Sequence, residues 1–232
     1  MEDNIDGTRR QVPMKVVGML PITRKRALMR TVRNKFGAKI VATPSQIIIA
    51  LELRNNKSNY IFDLVAKTAL NALDKPLKER DAFIGDNLGY FIAKSLPANL
   101  GKAKFHTYPN GVVFGAQAPE LECLYAASLS TTVNKSIILE EFRTRVMRFV
   151  PEVQETATTL DNGSMADGMT ELDPNLIING RNACQVQVDL PEGVFAYEDL
   201  TTPNWLVIVL DGMLINGGAD ILKRESDNKK RQ

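Results

Sequence analysis

Residues 205–215 read WLVIVLDGMLI and contain the longest apolar run of the sequence. Both alternating sets of positions in this run are apolar, which is typical of a strand buried on both faces in the centre of a sheet. The preceding residues 182–190, NACQVQVDL, instead alternate between apolar and polar side chains. That period of two predicts a second strand with one buried side and one solvent-facing side.

The first half of the chain adds further predicted strands. Residues 39–53 are rich in β-branched side chains, with three consecutive isoleucines at Ile47, Ile48 and Ile49, and this enrichment favours a strand. Residues 54–59 are polar, and residues 60–64 are apolar again. The pattern predicts that the two apolar segments form a hairpin with a long connection.

Two more strands are predicted in the middle of the chain. Residues 128–134 and 136–149 are rich in Thr, Val, Ile and Phe and flank a turn near Asn134-Lys135. Residues 78–95 fit either a short helix or a strand, because Gly85 and Gly89 interrupt their apolar side chains. The sequence pattern leaves that segment open.

Helical and irregular segments are fewer. Residues 119–127 are predicted to be helical, because their apolar side chains share one face and two glutamates lie in the first turn. Residues 154–175 are polar with little periodicity, which predicts a long loop that is functional or mobile.

Together these elements predict a mainly β fold, an antiparallel jelly-roll or β-sandwich barrel with a basic N-terminal helix and few short helices. The uneven lengths of the connections favour such a sandwich, and the chain lacks the 20–50-residue repeat of solenoids and propellers. The predicted organisation is a basic N-terminal arm and amphipathic helix at 1–37, a β-barrel domain at 38–217 with the long loop near 154–175, and a polar basic C-terminal tail at 218–232.

Positive charge is concentrated at the two ends of the chain. The formal net charge is only +2, yet residues 1–40 carry ten Lys or Arg against three acidic residues, and residues 223–232 carry five against two. Basic ends on a balanced middle are typical of tails that meet phosphate or an acidic partner. Tails that only keep a protein soluble have the same composition, so both interpretations stay open.

The N-terminal cluster falls on a predicted amphipathic helix, with Thr23 suited to the N-cap and Gly37 to the C′ position. Its apolar stripe consists of Leu28, Met29, Val32 and Phe36. The candidate residues for binding nucleic acid or an anionic surface are Arg24, Lys25, Arg26, Arg30, Arg33 and Lys35. Cations that neutralise phosphates release counterions whatever the base sequence, and they also attract anionic lipid head groups. The alternative is a helix that packs by its stripe onto the domain and forms salt bridges with a neighbour.

We expect no catalytic, metal or cofactor site. Cys123 and Cys184 are far apart and belong to no CxxC or Cys/His cluster, so buried thiols in a reducing compartment are expected. His106 is the single histidine, and its place beside a Tyr-Pro-Asn-Gly turn favours a turn or core residue. The segment Asp161-Asn162-Gly163-Ser164 lacks the closing glutamate of a calcium loop, and GxSxG, GxGxxG and GxxxxGK[ST] motifs are absent from the sequence.

No targeting or membrane-spanning segment is predicted either. The N-terminal residues lack the apolar core of a signal peptide, and the longest apolar run is far too short to span a bilayer. A soluble intracellular product is therefore expected.

Several phrases of the sequence resemble coat proteins of tail-less icosahedral bacteriophages that are built from β-barrels standing on a shell. These phrases are KFHTYPNGVVF at 104–114, PELECLYAASLSTTVNKSIILEEFRTRVMRFVPEVQ at 119–154, LDPNLIINGRNACQVQVDLPEG at 172–193 and NWLVIVLDGMLI at 204–215. The resemblance spans roughly residues 38–217. With 232 residues the chain is short for a double-barrel member.

The resemblance implies a capsid role. It predicts a jelly-roll barrel that self-associates into trimers or larger capsomers and contacts other virion proteins. It also implies no enzymatic activity, no cofactor and no small-molecule substrate, with assembly in the host cytoplasm and residence in the virion. The basic N-terminal arm would then face packaged nucleic acid or an inner membrane.

Two alternatives come from the residues themselves. The first is a nucleic-acid-binding accessory protein that uses the basic helix at 24–36 as its working surface. The second is a hydrolase that acts through His106 with an unusual nucleophile.

Overall fold

Eight strands of the computed structural model form two antiparallel four-stranded sheets. The structure describes residues 22–37, 40–66, 68–156, 158–159, 162–193 and 196–222, with the side chains of residues 22–25 left out. The strands are β1 (Ala42–Glu52), β2 (Asn59–Asp63), β3 (Ala82–Lys94), β4 (Ser128–Val133), β5 (Ser136–Arg143), β6 (Met169–Asn179), β7 (Cys184–Asp189) and β8 (Asn204–Ile215). The predicted mainly β, antiparallel fold is confirmed.

Sheet A has the strand order β1-β8-β3-β6, and sheet B has the order β2-β7-β4-β5. The inner faces of the two sheets pack against each other in one large core, to which Phe83 and Ile208 contribute from sheet A and Phe62 and Val188 from sheet B. Burial of these apolar side chains is the main stabilising term, at roughly 1.5–3 kcal/mol for each large one.

Strand β8 lies between β1 and β3, in the centre of sheet A, as its apolar sequence predicts. Leu206, Ile208 and Leu210 face the core between the sheets. Val207 and Val209 face the opposite side of sheet A, where they are also fully buried. A strand covered on both faces has to be apolar at every position.

Residues 78–95, for which the sequence allowed either a helix or a strand, contain strand β3. Before its bulge, which lies between Gly85 and Asn87, the odd-numbered Phe83 faces the inner core and Ile84 faces outward. After the bulge the even-numbered Tyr90 faces the inner core and Phe91 faces outward. One extra residue in a strand shifts the alternation by one position, so no single period of two describes residues 82–94.

Helix α1 spans Ile22–Phe36 and covers part of the outer face of sheet A. Leu28, Val32 and Phe36 are buried against Ile84 of β3 and Met213 of β8. The apolar stripe read from the sequence is therefore the face by which the helix packs. Gly37 follows with a φ of 94°, and its N–H donates to the Arg33 carbonyl oxygen at 3.0 Å, which is the C′ geometry that favours glycine.

The connection between β3 and β4 covers another part of the outer face of sheet A. Leu100, in a 3-10 helix at Pro97–Lys102, packs with Phe91 and Trp205. The indole Nε1–H of Trp205 donates to the Ser95 carbonyl oxygen at 2.8 Å. The rings of Phe91 and Phe105 stack with centroids 5.7 Å apart.

The same connection carries two short α-helices. Helix α2 spans Gly111–Phe114, and helix α3 spans Ala118–Leu121 and continues as a 3-10 helix at Glu122–Ala126. The predicted helical segment at 119–127 is confirmed in outline, as a chain of short turns. The Asn110 side chain caps α2 by accepting a hydrogen bond from the Val112 N–H at 2.7 Å.

The predicted hairpin between residues 39–53 and 60–64 is wrong. β1 pairs with β8 in sheet A, and β2 pairs with β7 in sheet B. The polar loop at 53–58 therefore passes from one sheet to the other. Sequence neighbours in a sandwich can belong to opposite layers, because each strand pairs with a partner in its own sheet, here β8 for β1 and β7 for β2.

The boundaries of one predicted loop and one predicted strand also differ. The loop predicted at 154–175 ends earlier, because a 3-10 turn forms at Met165–Gly168 and β6 begins at Met169. β6 is polar because it is an edge strand, and Pro174 is tolerated there as Pro44 is on the opposite edge strand β1. Strand β5 ends at Arg143 and gives way to a 3-10 helix at Thr144–Met147, so the strand predicted at 136–149 is shorter.

The C-terminal boundary moves as well. Residues 218–222 form a helical turn, in which Ala219 is buried and Ile221 and Leu222 pack beside α1. The folded body therefore extends beyond the predicted boundary at 217. The rest of the predicted tail, residues 223–232, and the predicted arm at 1–21 lie outside the described residues.

Candidate functional site

The exposed side of α1 carries the cations that the sequence singled out. Arg26, Arg30, Arg33 and Lys35 are all exposed, whereas the side chains of Arg24 and Lys25 lie outside the described residues. Arg26, Arg30 and Arg33 are spaced at i, i+4 and i+7, which places them along one face of the helix. Lys35 lies on a different side, since two residues of an α-helix turn through about 200°. Of the six candidate binding residues, the structure thus places Arg26, Arg30 and Arg33 along one face of α1.

The charges on the exposed side of α1 favour the binding of an anion. Arg26, Arg30 and Arg33 form no ion pair within the part of the chain that the structure describes. The first turn of α1 has no acidic residue, and its last turn contains Arg33 and Lys35. Cations in the last turn also stabilise the helix through its dipole, so part of this charge has a structural role.

Ion pairs join the loops at one end of the sandwich. The Lys94 Nζ lies 2.9 Å from Asp199 Oδ2, and Oδ1 of the same carboxylate accepts hydrogen bonds from the N–H groups of Thr201 and Thr202. The hydrogen bond from Lys94, followed by those from the two backbone N–H groups, lowers the pKa of Asp199 to about 2. Arg54 pairs with both Glu52 and Glu198 nearby. These contacts tie the β1–β2 connection and strand β3 to the β7–β8 connection.

A second group of arginines, which the sequence analysis missed, lines a cleft of about 470 Å³. Arg143 ends β5, Arg145 lies in the following 3-10 helix and Arg148 comes directly after it. Glu122, Tyr125 and Ala126 form the opposite wall. The signal in the sequence is RTRVMR at 143–148, three arginines in six residues without an acidic one.

Arg148 is held by Glu122 through two hydrogen bonds. Nε donates to Oε2 at 2.9 Å, and Nη2 donates to Oε1 at 2.7 Å. The hydrogen bonds that Arg148 donates to Glu122 raise the pKa of Arg148 above its ordinary value. Arg143 and Arg145 form no ion pair with any residue that the structure describes.

His106, the centre of the hydrolase alternative, is buried at 4 % exposure. Its backbone exchanges two hydrogen bonds with Ile92, and its ring packs edge-on against Phe114 with the centroids 5.4 Å apart. The imidazole thus lies in the core environment that its sequence context predicts.

Neither cysteine forms a disulfide. Cys184 is buried and Cys123 is half-buried. Burial raises the pKa of each thiol to about 12, with a smaller contribution at Cys123 from the charge of Glu120. Both sulfurs are therefore protonated at neutral pH, and a protonated thiol is a poor nucleophile.

The described residues contain no group of three or more His, Cys, Asp and Glu side chains placed to hold a metal ion. Asp161, part of the segment compared with a calcium loop, lies outside them. Among the described helices, none is long and apolar enough to cross a membrane. No family model, curated protein or solved structure matches this chain.

Proposed function

We propose that this chain is a virion structural protein whose eight strands form a jelly roll and which self-assembles into an icosahedral capsid shell. The observation that carries the proposal is the strand order, β1-β8-β3-β6 facing β2-β7-β4-β5. Eight strands in two such sheets are the architecture of viral capsid domains, and also of lectins and cupins.

The pairing pattern supports a jelly roll in a specific way. The pairs β1·β8, β2·β7, β3·β6 and β4·β5 are all present and antiparallel. They are the pairs of a long two-stranded ribbon, with strands β1–β4 on one side and β5–β8 on the other. Winding that ribbon into two layers adds β3·β8 and β4·β7, which are also present.

Strand order alone does not assign a function, and the edge of sheet B supports the assembly role. β5 is an edge strand, and its consecutive Ile137 and Ile138 are 59 % and 55 % exposed. A bulge interrupts the pairing with β4 here, because Ile137 pairs with Thr132 and Leu139 with Thr131, so this edge presents two adjacent exposed apolar side chains. An exposed apolar edge strand is a template for pairing with another chain. A second copy of this chain is the partner that self-assembly requires.

The basic face of α1 supports the orientation of the protomer in the shell. Arg26, Arg30 and Arg33 project from the outer side of sheet A. In the proposed shell this face points inward, toward packaged nucleic acid or the head groups of an inner membrane. Together with the predicted basic arm it neutralises part of the enclosed negative charge.

Electron microscopy and light scattering of the purified chain test the assembly. We expect large regular particles, and we expect Ile138→Lys to abolish them, because a charge on an edge strand blocks edge-to-edge pairing. Ile61→Lys is the matched control, since Ile61 is 46 % exposed on β2, the opposite edge of the same sheet. Both variants should keep the circular dichroism spectrum of the parent. A protomer that remains monomeric at every concentration tested would contradict the proposal.

The second candidate is a nucleic-acid-binding accessory protein, favoured by the alignment of Arg26, Arg30 and Arg33 on one exposed face. It predicts a small species with salt-sensitive DNA affinity in place of large particles. The triple variant Arg26→Gln/Arg30→Gln/Arg33→Gln should then lower the slope of log affinity against log salt by about 0.9 for each lost phosphate contact. Lys78→Gln/Lys135→Gln/Arg181→Gln, which removes three exposed cations elsewhere, should leave the slope unchanged.

A further inference from the structure

We propose that the cleft lined by Arg143, Arg145 and Arg148 binds the phosphate group of a small phosphorylated molecule. The cleft has a volume of about 470 Å³ and lies between Glu122–Ala126 on one side and the end of β5 with its following turn on the other. This inference does not depend on the proposed capsid function, because it rests on the geometry of a single protomer.

The charge balance of the cleft favours an anion. Among the described residues that line it, there are three guanidinium groups and one carboxylate, that of Glu122. Like charges repel one another, and more strongly near a protein surface than in bulk water. Arg143 and Arg145 have no carboxylate partner in the described portion of the chain. A bound anion would offset this repulsion.

Hydrogen bonds to Glu122 hold the guanidinium group of Arg148 in one orientation before any ligand binds. Glu122 accepts from one N–H of Nε and one of Nη2, which leaves three of the five N–H donors, two of them on Nη1, for a ligand. A side chain held in place before binding loses less conformational entropy when the ligand arrives. Glu122 thus acts as a positioning residue for the guanidinium beside it.

The segment that carries the other two arginines is anchored to the opposite wall. Thr144, between Arg143 and Arg145, is fully buried. Its hydroxyl donates to the Leu124 carbonyl oxygen at 2.8 Å and lies 3.1 Å from that of Ala127, and its N–H donates to the Ala127 carbonyl oxygen at 3.2 Å. Met147 is buried one turn later. The two walls of the cleft are therefore fastened together, and the arginines on either side of Thr144 are left exposed.

The shape and chemistry of the cleft indicate the ligand class. Planar guanidinium groups donate pairs of parallel hydrogen bonds to phosphate oxygens, and phosphate offers more acceptor oxygens than a carboxylate does. The volume lies in the range of small-molecule sites, about 300–1,000 Å³, and is larger than a phosphate ion needs. The Tyr125 hydroxyl lies toward the His106 carbonyl oxygen, at 3.5 Å, and the Tyr125 side chain is buried. The apolar surface open to an attached organic group is therefore mainly that of Ala126.

Isothermal titration of the purified chain with pyrophosphate, adenosine 5′-monophosphate and adenosine tests the proposal. We expect both phosphate compounds to bind with a dissociation constant below about 1 mM, and adenosine not to bind. Arg143→Gln and Arg145→Gln should each weaken binding by about tenfold or more, the usual effect of losing a charge-assisted hydrogen bond. Arg145→Lys, which keeps the charge but not the planar fork, should be intermediate between Arg145→Gln and the parent.

The matched control is Lys135→Gln, which removes one exposed cation from the same hairpin at its other end. Eight residues of extended chain place it about 25 Å from Arg143, so its effect on affinity should stay within about twofold. Circular dichroism establishes that each variant is folded. The proposal fails if no phosphate compound binds saturably, if Arg143→Gln and Arg145→Gln bind as the parent does, or if only an oligonucleotide binds.

Discussion

Gly85 of β3 lies directly opposite Gly212 of β8, and the strands approach so closely that a Cβ added to Gly212 would lie 2.0 Å from the Ile84 carbonyl oxygen. The bulge of β3 begins immediately after this pair. Before it, Ile84 packs under α1, and after it Phe91 packs under the 3-10 helix at Pro97–Lys102. The glycine pair therefore marks the point where one strand exchanges its inward and outward positions.

Gly212→Ala should lower the free energy of unfolding by about 3 kcal/mol or more, because the methyl group overlaps backbone that has no room to move. Gly111→Ala is the control, since nothing lies within 4 Å of the added Cβ there. Its effect should stay within about 0.5 kcal/mol. Denaturant titrations of both variants measure the difference, and equal stabilities would contradict the close approach.

Val32→Ala tests whether α1 is docked on sheet A. Val32 is fully buried between the helix and the sheet, and the loss of two methyl groups should cost about 1.6 kcal/mol at 0.8 kcal/mol each. Arg30→Ala, on the exposed side of the same helix and before its last turn, should change stability by less than about 0.5 kcal/mol. The same thermal or denaturant assay compares the two. If Val32→Ala is as stable as the parent, the helix does not pack as described.

The Lys94–Asp199 pair predicts a pH dependence of stability. The native pKa of Asp199 is about 2, below the ordinary value of about 3.9 in an unfolded chain. The unfolded state therefore binds the proton more readily, and the contribution to stability is fully present above about pH 4 and is lost as pH falls toward 2. Asp199→Asn should be less stable than the parent at pH 7, and the gap should close between about pH 4 and pH 2.

Lys94→Met provides the second variant for this test, because it removes the first cause of the lowered pKa and keeps the two backbone N–H donors. Its stability gap to the parent should close over the same pH interval. A gap that stays constant from pH 7 to pH 2 in both variants would mean that the carboxylate charge does not stabilise the fold.

The rate of thiol alkylation tests the burial of Cys123 and Cys184. With the pKa of each thiol raised to about 12, the alkylation rate of the folded protein should rise about tenfold per pH unit up to pH 10. A free thiol with a pKa near 8.5 levels off above about pH 9. Cys123→Ser and Cys184→Ser separate the two sites, and half-buried Cys123 should react faster than Cys184. Rapid labelling of Cys184 without denaturant would contradict its burial.

The elements with one strong local pattern were predictable. Residues 205–215 are apolar at nearly every position and form a central strand, and Leu28, Val32 and Phe36 are spaced for a helix with one buried face. In both cases the side chains of the segment itself carry the information, because periodicity reflects burial. The antiparallel turn at Asn134-Lys135 was predictable too, and both residues have positive φ there.

Other features depend on residues far away in the sequence. The alternation in β3 breaks at a bulge, and the partner of β1 is β8, more than 150 residues later. The mostly polar stretch 169–175 belongs to edge strand β6, in which residues 169–171 pair with β3. The arginines at 143–148 looked like the end of a strand, and only the hydrogen bonds of Thr144 to Leu124 and Ala127 turn them toward a common cleft.

The sequence by itself determined the apolar central strand at 205–215, the apolar face of α1 and where positive charge gathers, since each of these follows from side chains within a few residues of one another. Only the tertiary structure decided which strands share a sheet, and that Arg143, Arg145 and Arg148 face Glu122 across one cleft. The physical reason is that strand pairing and cleft formation depend on apolar surface that is buried between segments far apart in the sequence. The local pattern of one segment does not show which distant segment will pack against it.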